Sequence, residues 1–355
     1  MGDLKPAQDG IAAASNSIPG ADRPLVTFAL FAYNQELFIR EAVEGAFAQT
    51  YEPLEIILSD DCSTDSTFRI MQEMATSYKG GHTIIVRRSS VNRGLGLHIK
   101  DVADLASGEF IVVAAGDDIS LPQRTLVLVE LMRIEGTEFS DSNYNEMNES
   151  GVINRICVRP DYSNNYLWSI IDADKSYFAC GATAAYKLIF LRSALSAACS
   201  TIKSGKLYNE DMMIAAYAVA ANKKPSNYCN EGLVNYRIVS SSLSNFWISP
   251  KSLKDELIIL QREKFYSMTR IATLSAICEI FEKYPAMSGR LNFEKISADM
   301  QLSRVELMAL SDKFSARAKS IVMARSFRDL KIFLSRLFGI KFLLIMRRIR
   351  RLLSA

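Results

Sequence analysis

Glu109–Pro122 reads EFIVVAAGDDISLP, and its two halves have opposite chemistry. Phe110 to Ala115 is an unbroken apolar run between Ser107-Gly108 and Gly116, too short to cross a membrane. It fits a strand buried on both faces of a parallel sheet. Asp117 and Asp118 follow at its carboxyl end. Ligands of open α/β sheets bind at that end of the strands, and a doubled negative charge there suits a divalent cation holding a phosphate-bearing substrate. The same two residues would equally form a polar turn that caps the next helix.

The flanking sequence favours the sheet. Leu25 to Phe31 is a first strand, and the helix after Asn34 repeats Ile39, Val43 and Phe47 on one face. Leu54 to Leu58 is a second strand, followed by Ser59-Asp60-Asp61-Cys62-Ser63-Thr64-Asp65 and a helix with Phe68, Met71, Ala75 and Tyr78 on one stripe. Thr83 to Arg87 is a third, followed by the loop Asn92-Arg93-Gly94-Leu95-Gly96 and a short helix around Val102 and Leu105. Strand and helix alternating up to Phe110–Ala115 predict an α/β fold with a doubly wound, mostly parallel sheet. Asp60-Asp61 and Asp117-Asp118 would then share one edge. One carboxylate there can accept from a nucleobase N–H or ribose hydroxyl while another holds Mg²⁺ or Mn²⁺ against a diphosphate. Asp60-Asp61, helped by Ser63 and Thr64, would alternatively cap a helix. Gly94-Leu95-Gly96 lacks the third glycine of a dinucleotide fingerprint and follows the wrong strand.

Composition narrows the class. The chain has 355 residues, enough for a large domain of about 250 residues and a smaller one. An apolar share of 49% against 23% charged is that of a globular protein. The six cysteines are scattered without a CxxC pair or a His cluster, which points to a reducing compartment and away from zinc. No apolar stretch approaches about 18 residues and the N-terminus lacks a signal-peptide pattern, so neither secretion by that route nor a membrane span is expected.

Four blocks in order carry a resemblance: Phe31-Ala32-Tyr33-Asn34; Gln49-Thr50-Tyr51-Glu52-Pro53 running on to Asp65; Asn92-Arg93-Gly94; and Gly116-Asp117-Asp118-Ile119-Ser120-Leu121-Pro122. In residues, order and spacing they resemble the successive motifs of family 2 glycosyltransferases with the GT-A fold. The resemblance implies that Tyr33 and Asp60 or Asp61 hold the nucleotide base, uracil or thymine. It implies further that Arg93 contacts the nucleotide, that Asp117 lies near the ribose and that Asp118 ligates the metal. Many members carry one more Asp two positions before the pair, where this chain has Ala115, so either Asp117 or Asp118 can be the direct ligand. The family also places a Glu-Asp pair about ninety residues after the metal motif, matched here by Glu210-Asp211, with Asp211 implied as the catalytic base. Acid at a helix start is also what the macrodipole favours. Leu233 to Ser244 resembles the family's closing Tyr-Arg segment, in which Arg237 would pair with diphosphate. Val239 stands where a His is common, and on residue chemistry alone Arg237 equally fits a sheet-edge ion pair.

The chemistry so implied is transfer of a sugar with inversion from a nucleotide-diphosphate sugar to a hydroxyl of a saccharide or lipid-linked saccharide, in surface polysaccharide synthesis. One carboxylate takes the acceptor's proton, and a metal neutralises the departing diphosphate on the other face of the sugar.

The rest of the chain is organised around that unit. Residues 1–24 are expected to be a flexible leader, 25–125 the nucleotide-sugar-binding half, 126–248 the acceptor half, and 249–355 a helical region. Past Pro122 a helix with Leu126, Val129 and Met132 or Arg133 leads to a strand over Glu138–Ser142, a polar turn region over Asn143–Gly151 and an antiparallel return over Val152–Val158. Tyr162, Tyr166 and Trp168 can stack on sugar faces or pack as core. Tyr177–Thr183 fits a strand or tight loop. Leu253, Leu257 and Leu260 begin a long helix ending about Tyr284, and Ser288–Leu310 suits shorter helices. From Arg325 to Arg351 nine basic residues face one acid, Asp329, with apolar residues between them. Residues 325–355 therefore fit an amphipathic segment on an anionic membrane surface, or a helix packed on the domain with solvated basic residues. Nucleic acid is not the expected partner, because no basic stripe with interleaved aromatics occurs elsewhere. The expected location is cytoplasmic, peripheral on the inner face of the cell membrane. A nucleotidyltransferase-like enzyme and a catalytically silent GT-A-fold scaffold are the alternatives; the first lacks a Gly-rich, Lys-bearing loop after the first strand.

Overall fold

Unbroken apolar runs with β-branched residues become the central strands of the computed structural model, which describes residues 23–157, 181–201, 206–223, 229–239, 253–284 and 291–309. β1 (Val26–Ala32), α1 (Ile39–Phe47), β2 (Leu54–Asp60), α2 (Thr67–Ser77), β3 (Thr83–Arg88), α3 (Leu95–Leu105) and β4 (Phe110–Ala115) alternate as the sequence predicts. All of β1 and β2 is buried, and only the last residue of β4 is partly open, whereas β3 is the half-exposed edge. The one polar residue inside β1, Thr27, is satisfied there: its Oγ1 donates to Glu55 Oε1 at 2.7 Å and accepts from the Gly108 amide at 3.0 Å.

In the main sheet these strands lie parallel in the order β3-β2-β1-β4. Chain order reverses at β1, so the carboxyl ends of β1 and β4 form a topological switch point, where open α/β sheets bind ligands. Registry puts Ala32 opposite Asp60 and Phe31 opposite Ala115. The Asp61 amide donates to the Ala32 carbonyl at 2.9 Å and the Gly116 amide to the Phe31 carbonyl at 2.8 Å. Both acidic pairs are thereby tethered to either side of the end of β1.

Beyond β4 come β5 (Ile119–Ser120), α4 (Arg124–Glu135), β6 (Phe139–Ser140), β7 (Ser142–Met147) and β8 (Ile153–Cys157). The described chain resumes with a single helical turn at Gly181–Thr183, then β9 (Ala185–Lys187), α5 (Leu188–Cys199), α6 (Glu210–Ala220) and β10 (Cys229–Arg237). β9 pairs antiparallel with β4 and with β6, and β5-β10-β7-β8 make a second sheet. The single strand expected over Glu138–Ser142 is divided between the two sheets, and the expected turn region begins instead with the strand β7. That strand is polar because its stabilisation is cross-strand: Asn145 Nδ2 donates to Asn235 Oδ1 on β10 at 2.9 Å. The expected antiparallel return is β8, but it pairs with β7 over Tyr144–Met147 and not with the segment Glu138–Ser142.

The described chain forms two compact units, one running through Val239 and again from Ala276 to Leu291, the other comprising Ser240–Ser275 and the residues from Asn292 onward. α7 (Leu253–Glu282) is the expected long helix, and α8 (Phe293–Ala309) is one helix of 17 residues where shorter ones were expected. In the second unit Arg270 pairs with Asp299 at 3.4 Å. No helix among the described residues is long and apolar enough to cross a membrane. The leader up to residue 22, the aromatics Tyr162, Tyr166 and Trp168, and the basic segment 325–355 lie outside the described residues.

Candidate active site

Gly116 lets the chain turn tightly at the end of β4, since a Cβ there would come within 2.4 Å of Gln35 Oε1 and 3.0 Å of Ala32 Cβ. Asp117 and Asp118 follow on the turn into β5. Asp118 is buried, its Oδ1 accepts from the Arg237 amide at 2.8 Å, and its Oδ2 has no hydrogen-bond partner. Burial above all, then the charge of Asp117, holds the Asp118 carboxyl well above the usual carboxylate range. Asp117 is raised by burial too, partly offset by the Arg237 charge and a hydrogen bond from Gln35. Two adjacent acids raised by their own desolvation form a site that favours a compensating positive charge.

Asp60 and Asp61 lie across the end of β1. Asp60 Oδ2 accepts from the Ser63 amide at 2.9 Å and pairs with Arg88 Nε at 3.2 Å, while Oδ1 has no partner. Asp61 accepts the Arg93 amide on one oxygen and the Gly94 amide on the other, each at 2.8 Å. Gly94 has φ 75°, a backbone that glycine adopts without strain. Asp61 thus ties the loop after β3 to the end of β2. The loop after β1 is tied to the loop after β2: Asn34 Oδ1 accepts from the Thr64 amide at 2.8 Å, and the Gln35 amide donates to Thr67 Oγ1 at 2.7 Å. Tyr33 stands 47% exposed on that cross-braced rim. The Arg93 guanidinium is at the surface, paired with Asp101 at 3.0 Å.

Glu210 and Asp211 open α6, directly after Asn209, which takes the left-handed conformation at φ 49°. Asp211 Oδ1 accepts from the Met212 amide at 2.8 Å. A Cβ built on Gly181 would lie 3.7 Å from both Asp211 Cβ and Glu210 Oε1, so the small turn after the undescribed segment packs against the pair. Burial and then the charge of Asp211 push Glu210 up to about 8, and burial also raises Asp211. At neutral pH Glu210 keeps its proton, so two neighbouring acids with raised carboxyls share the start of one helix.

Arg237 makes an ion pair, one of the two roles open to it from the sequence, and adds main-chain acceptors to it. Its Nε donates to the Asp117 carbonyl at 2.9 Å, Nη1 to the Glu149 carbonyl at 2.9 Å, and Nη2 to Glu41 Oε2 at 2.8 Å. Sequence reasoning also missed three supporting groups. Arg124 is fully buried, donating to Ser120 Oγ at 2.8 Å, the Val113 carbonyl at 2.6 Å and the Ala182 carbonyl at 3.0 Å. Gln49 donates to the Gly45 and Leu121 carbonyls at 2.9 Å and accepts from the Thr125 amide at 3.0 Å, so α1 fixes the segment after β5. His98, under the Asp61 loop, pairs with Ser59 Oγ at 2.5 Å. Burial first, opposed by Asp61, lowers it to about 4 and keeps it neutral. A clue for Arg124 and Gln49 was available: Gln49 opens one recognisable motif and Arg124 lies just past another, yet neither had a ligand role.

Among the described residues no group of three or more His, Cys, Asp or Glu is placed to hold a metal. Asp117 and Asp118 offer hard oxygen donors, and the partnerless Oδ2 of Asp118 is one of them. That set fits Mg²⁺ or Mn²⁺ drawing its other ligands from a diphosphate and water, since such ions are commonly held by one or two carboxylates plus substrate phosphates.

Residues 27–191 match the family model described as glycosyl transferase family 2. An uncharacterized protein of Mycobacterium tuberculosis is 44% identical over 87 residues, 24% of this chain and 25% of its own length. The Escherichia coli UDP-Glc:alpha-D-GlcNAc-diphosphoundecaprenol beta-1,3-glucosyltransferase WfaP is 32% identical over 120 residues, 34% of this chain and 46% of its own. Each match spans less than half of the relative. The solved structure of S. aureus TarS 1–349 with UDP-GlcNAc has a TM-score of 0.48 at 14% identity, covering 82% of this chain and 83% of that one.

Proposed function

Residues 27–191 are a glycosyl transferase family 2 domain, and from that premise we propose that the chain transfers a sugar, with inversion, from a nucleotide-diphosphate sugar to a hydroxyl of a saccharide acceptor. The observation that carries the reading is the convergence of both acidic pairs on the end of β1 at the switch point, with Asp118 Oδ2 left without a partner. Asp60 or Asp61 accepts from the nucleobase and Tyr33 lies against the base. Arg93 contacts the nucleotide from the rim, Asp117 meets the ribose, and Asp118, with Asp117 beside it, holds Mg²⁺ or Mn²⁺. When bound, that ion neutralises charge on the departing diphosphate.

Asp211 takes the proton of the acceptor hydroxyl as its oxygen bonds to the anomeric carbon. The bond from that carbon to the diphosphate oxygen breaks with its electron pair, releasing nucleoside diphosphate. Glu210, protonated at neutral pH, adds no second negative charge beside Asp211. A lipid-linked acceptor and a role in surface polysaccharide synthesis are supported by the relative whose name specifies a diphosphoundecaprenol-linked substrate. A basic amphipathic segment over 325–355 would bring the protein to that substrate from the cytoplasmic face.

The test is nucleoside diphosphate release from a panel of nucleotide sugars with Mn²⁺, comparing the intact chain with Asp211→Asn. A positioned general base contributes about 10²–10⁴-fold, so release should fall at least a hundredfold without loss of nucleotide binding. Equal rates would remove Asp211 from the mechanism, and no release from any sugar by the intact chain would count against transfer.

A further inference from the structure

Arg237 ends β10 with its side chain 1% exposed. A buried guanidinium is tolerated when acceptors surround it. Nε donates to the Asp117 carbonyl at 2.9 Å, Nη1 to the carbonyls of Glu149 at 2.9 Å and Asn148 at 3.4 Å, and Nη2 to Glu41 Oε2 at 2.8 Å. Its charge lies over the Phe38 ring, 4.8 Å from the centroid. The main-chain amide of the same residue donates to Asp118 Oδ1 at 2.8 Å. Four segments converge here: the turn after β4, the β7–β8 turn, the start of α1 and the end of β10.

The structure assigns Arg237 as a positioning residue that sets the Asp117–Asp118 turn. The Asp117 carbonyl belongs to the peptide that joins the two acids, so the guanidinium orients that peptide plane. The amide grips one carboxylate oxygen of Asp118 and leaves the other for a ligand. Arg237 therefore acts on the metal end of the donor through Asp118 and not as a direct partner of the diphosphate. Each guanidinium nitrogen already donates, and a shift to a diphosphate would strip acceptors on other segments. Lysine keeps the charge but cannot reproduce the planar fork. The inference rests on the reading of Asp117 and Asp118 as the metal end of the site.

Two measurements on the full chain test it. Hydrogen exchange should accelerate about tenfold or more over Gly116–Ser120 and Asn148–Gly151 in Arg237→Lys and Arg237→Met, while β1 and β2 keep their protection. Calorimetry with UDP and GDP should show the Mn²⁺-dependent gain in affinity cut about tenfold or more, with metal-free affinity within about twofold of the intact chain. A parallel fall in metal-free affinity would mean direct diphosphate contact and overturn the assignment, as would unchanged exchange in the turn. If neither Arg237 variant folds, Glu41→Ala removes only the Nη2 anchor on a partner 47% exposed. It should accelerate the same amides by about two- to fivefold, and no acceleration would overturn the assignment. Absence of nucleotide binding by the intact chain would sink the donor reading, while the exchange arm still judges Arg237.

Discussion

Glu210→Gln should stabilise the protein at alkaline pH and leave it nearly unchanged at acid pH. Burial, with the Asp211 charge second, raises the Glu210 carboxyl from 4.5 to about 8. Between those values the folded chain holds a proton that the unfolded chain has released, so stability falls as pH rises through the interval. For a fully desolvated group the loss reaches roughly 4 kcal/mol at pH 8. Glu210 is only partly buried by surface exposure, and we discount the loss to about 2 kcal/mol for solvent screening. Glutamine cannot ionise and removes this dependence. In calorimetric melts the variant and the intact chain should agree within a degree or two at pH 5, with the variant about 4–8 °C higher at pH 8. An equal Tm difference at both values would refute the reasoning, because a carboxyl with an ordinary pKa is already ionised above pH 5.

Other perturbations test the frame around the site. Arg124→Met leaves the Val113 and Ala182 carbonyls without their guanidinium donor and should cost about 3 kcal/mol or more in urea unfolding. Asp61→Ala removes the acceptor of the Arg93 and Gly94 amides; exchange at those two amides should accelerate about tenfold or more, and unchanged protection would show that the loop holds itself. Gly96→Val places its Cβ 2.7 Å from Leu207 Cγ and from the Leu207 carbonyl oxygen. Overpacking of about 1–3 kcal/mol should lower Tm and, because Leu207 leads into Glu210 and Asp211, lower turnover as well.

The elements easiest to read were those buried on both faces. Phe110–Ala115 has the bounds that its apolar run dictates, because a strand covered on both faces reads as a near-continuous apolar run wherever no partner satisfies a polar group. β2 extends past its apolar run to Ser59 and Asp60, whose polar side chains are carried by registry with β1. β7 was hidden because its polar residues pair across strands and leave no alternation to see. α5 was hidden for the opposite reason: LIFLRSALSAAC is apolar enough for either element, and no side-chain cap marks its start. In the site, the two acidic pairs after strands were legible by position, whereas Glu210-Asp211 stood out only through the family resemblance, since acid at a helix start is common. The partners of Arg237 were not, since Glu41, Asp117 and Glu149 meet only once two sheets and a helix have assembled.

The central claim is that the switch-point crevice binds a nucleoside diphosphate through a metal on Asp118. Calorimetric titration of UDP, GDP and other nucleoside diphosphates, with and without Mn²⁺, into the intact chain and Asp118→Asn tests it most directly. The account predicts Mn²⁺-dependent binding of one nucleotide class, weakened about tenfold or more in the variant. Binding that ignores both Mn²⁺ and Asp118, or no binding of any nucleotide, would contradict it.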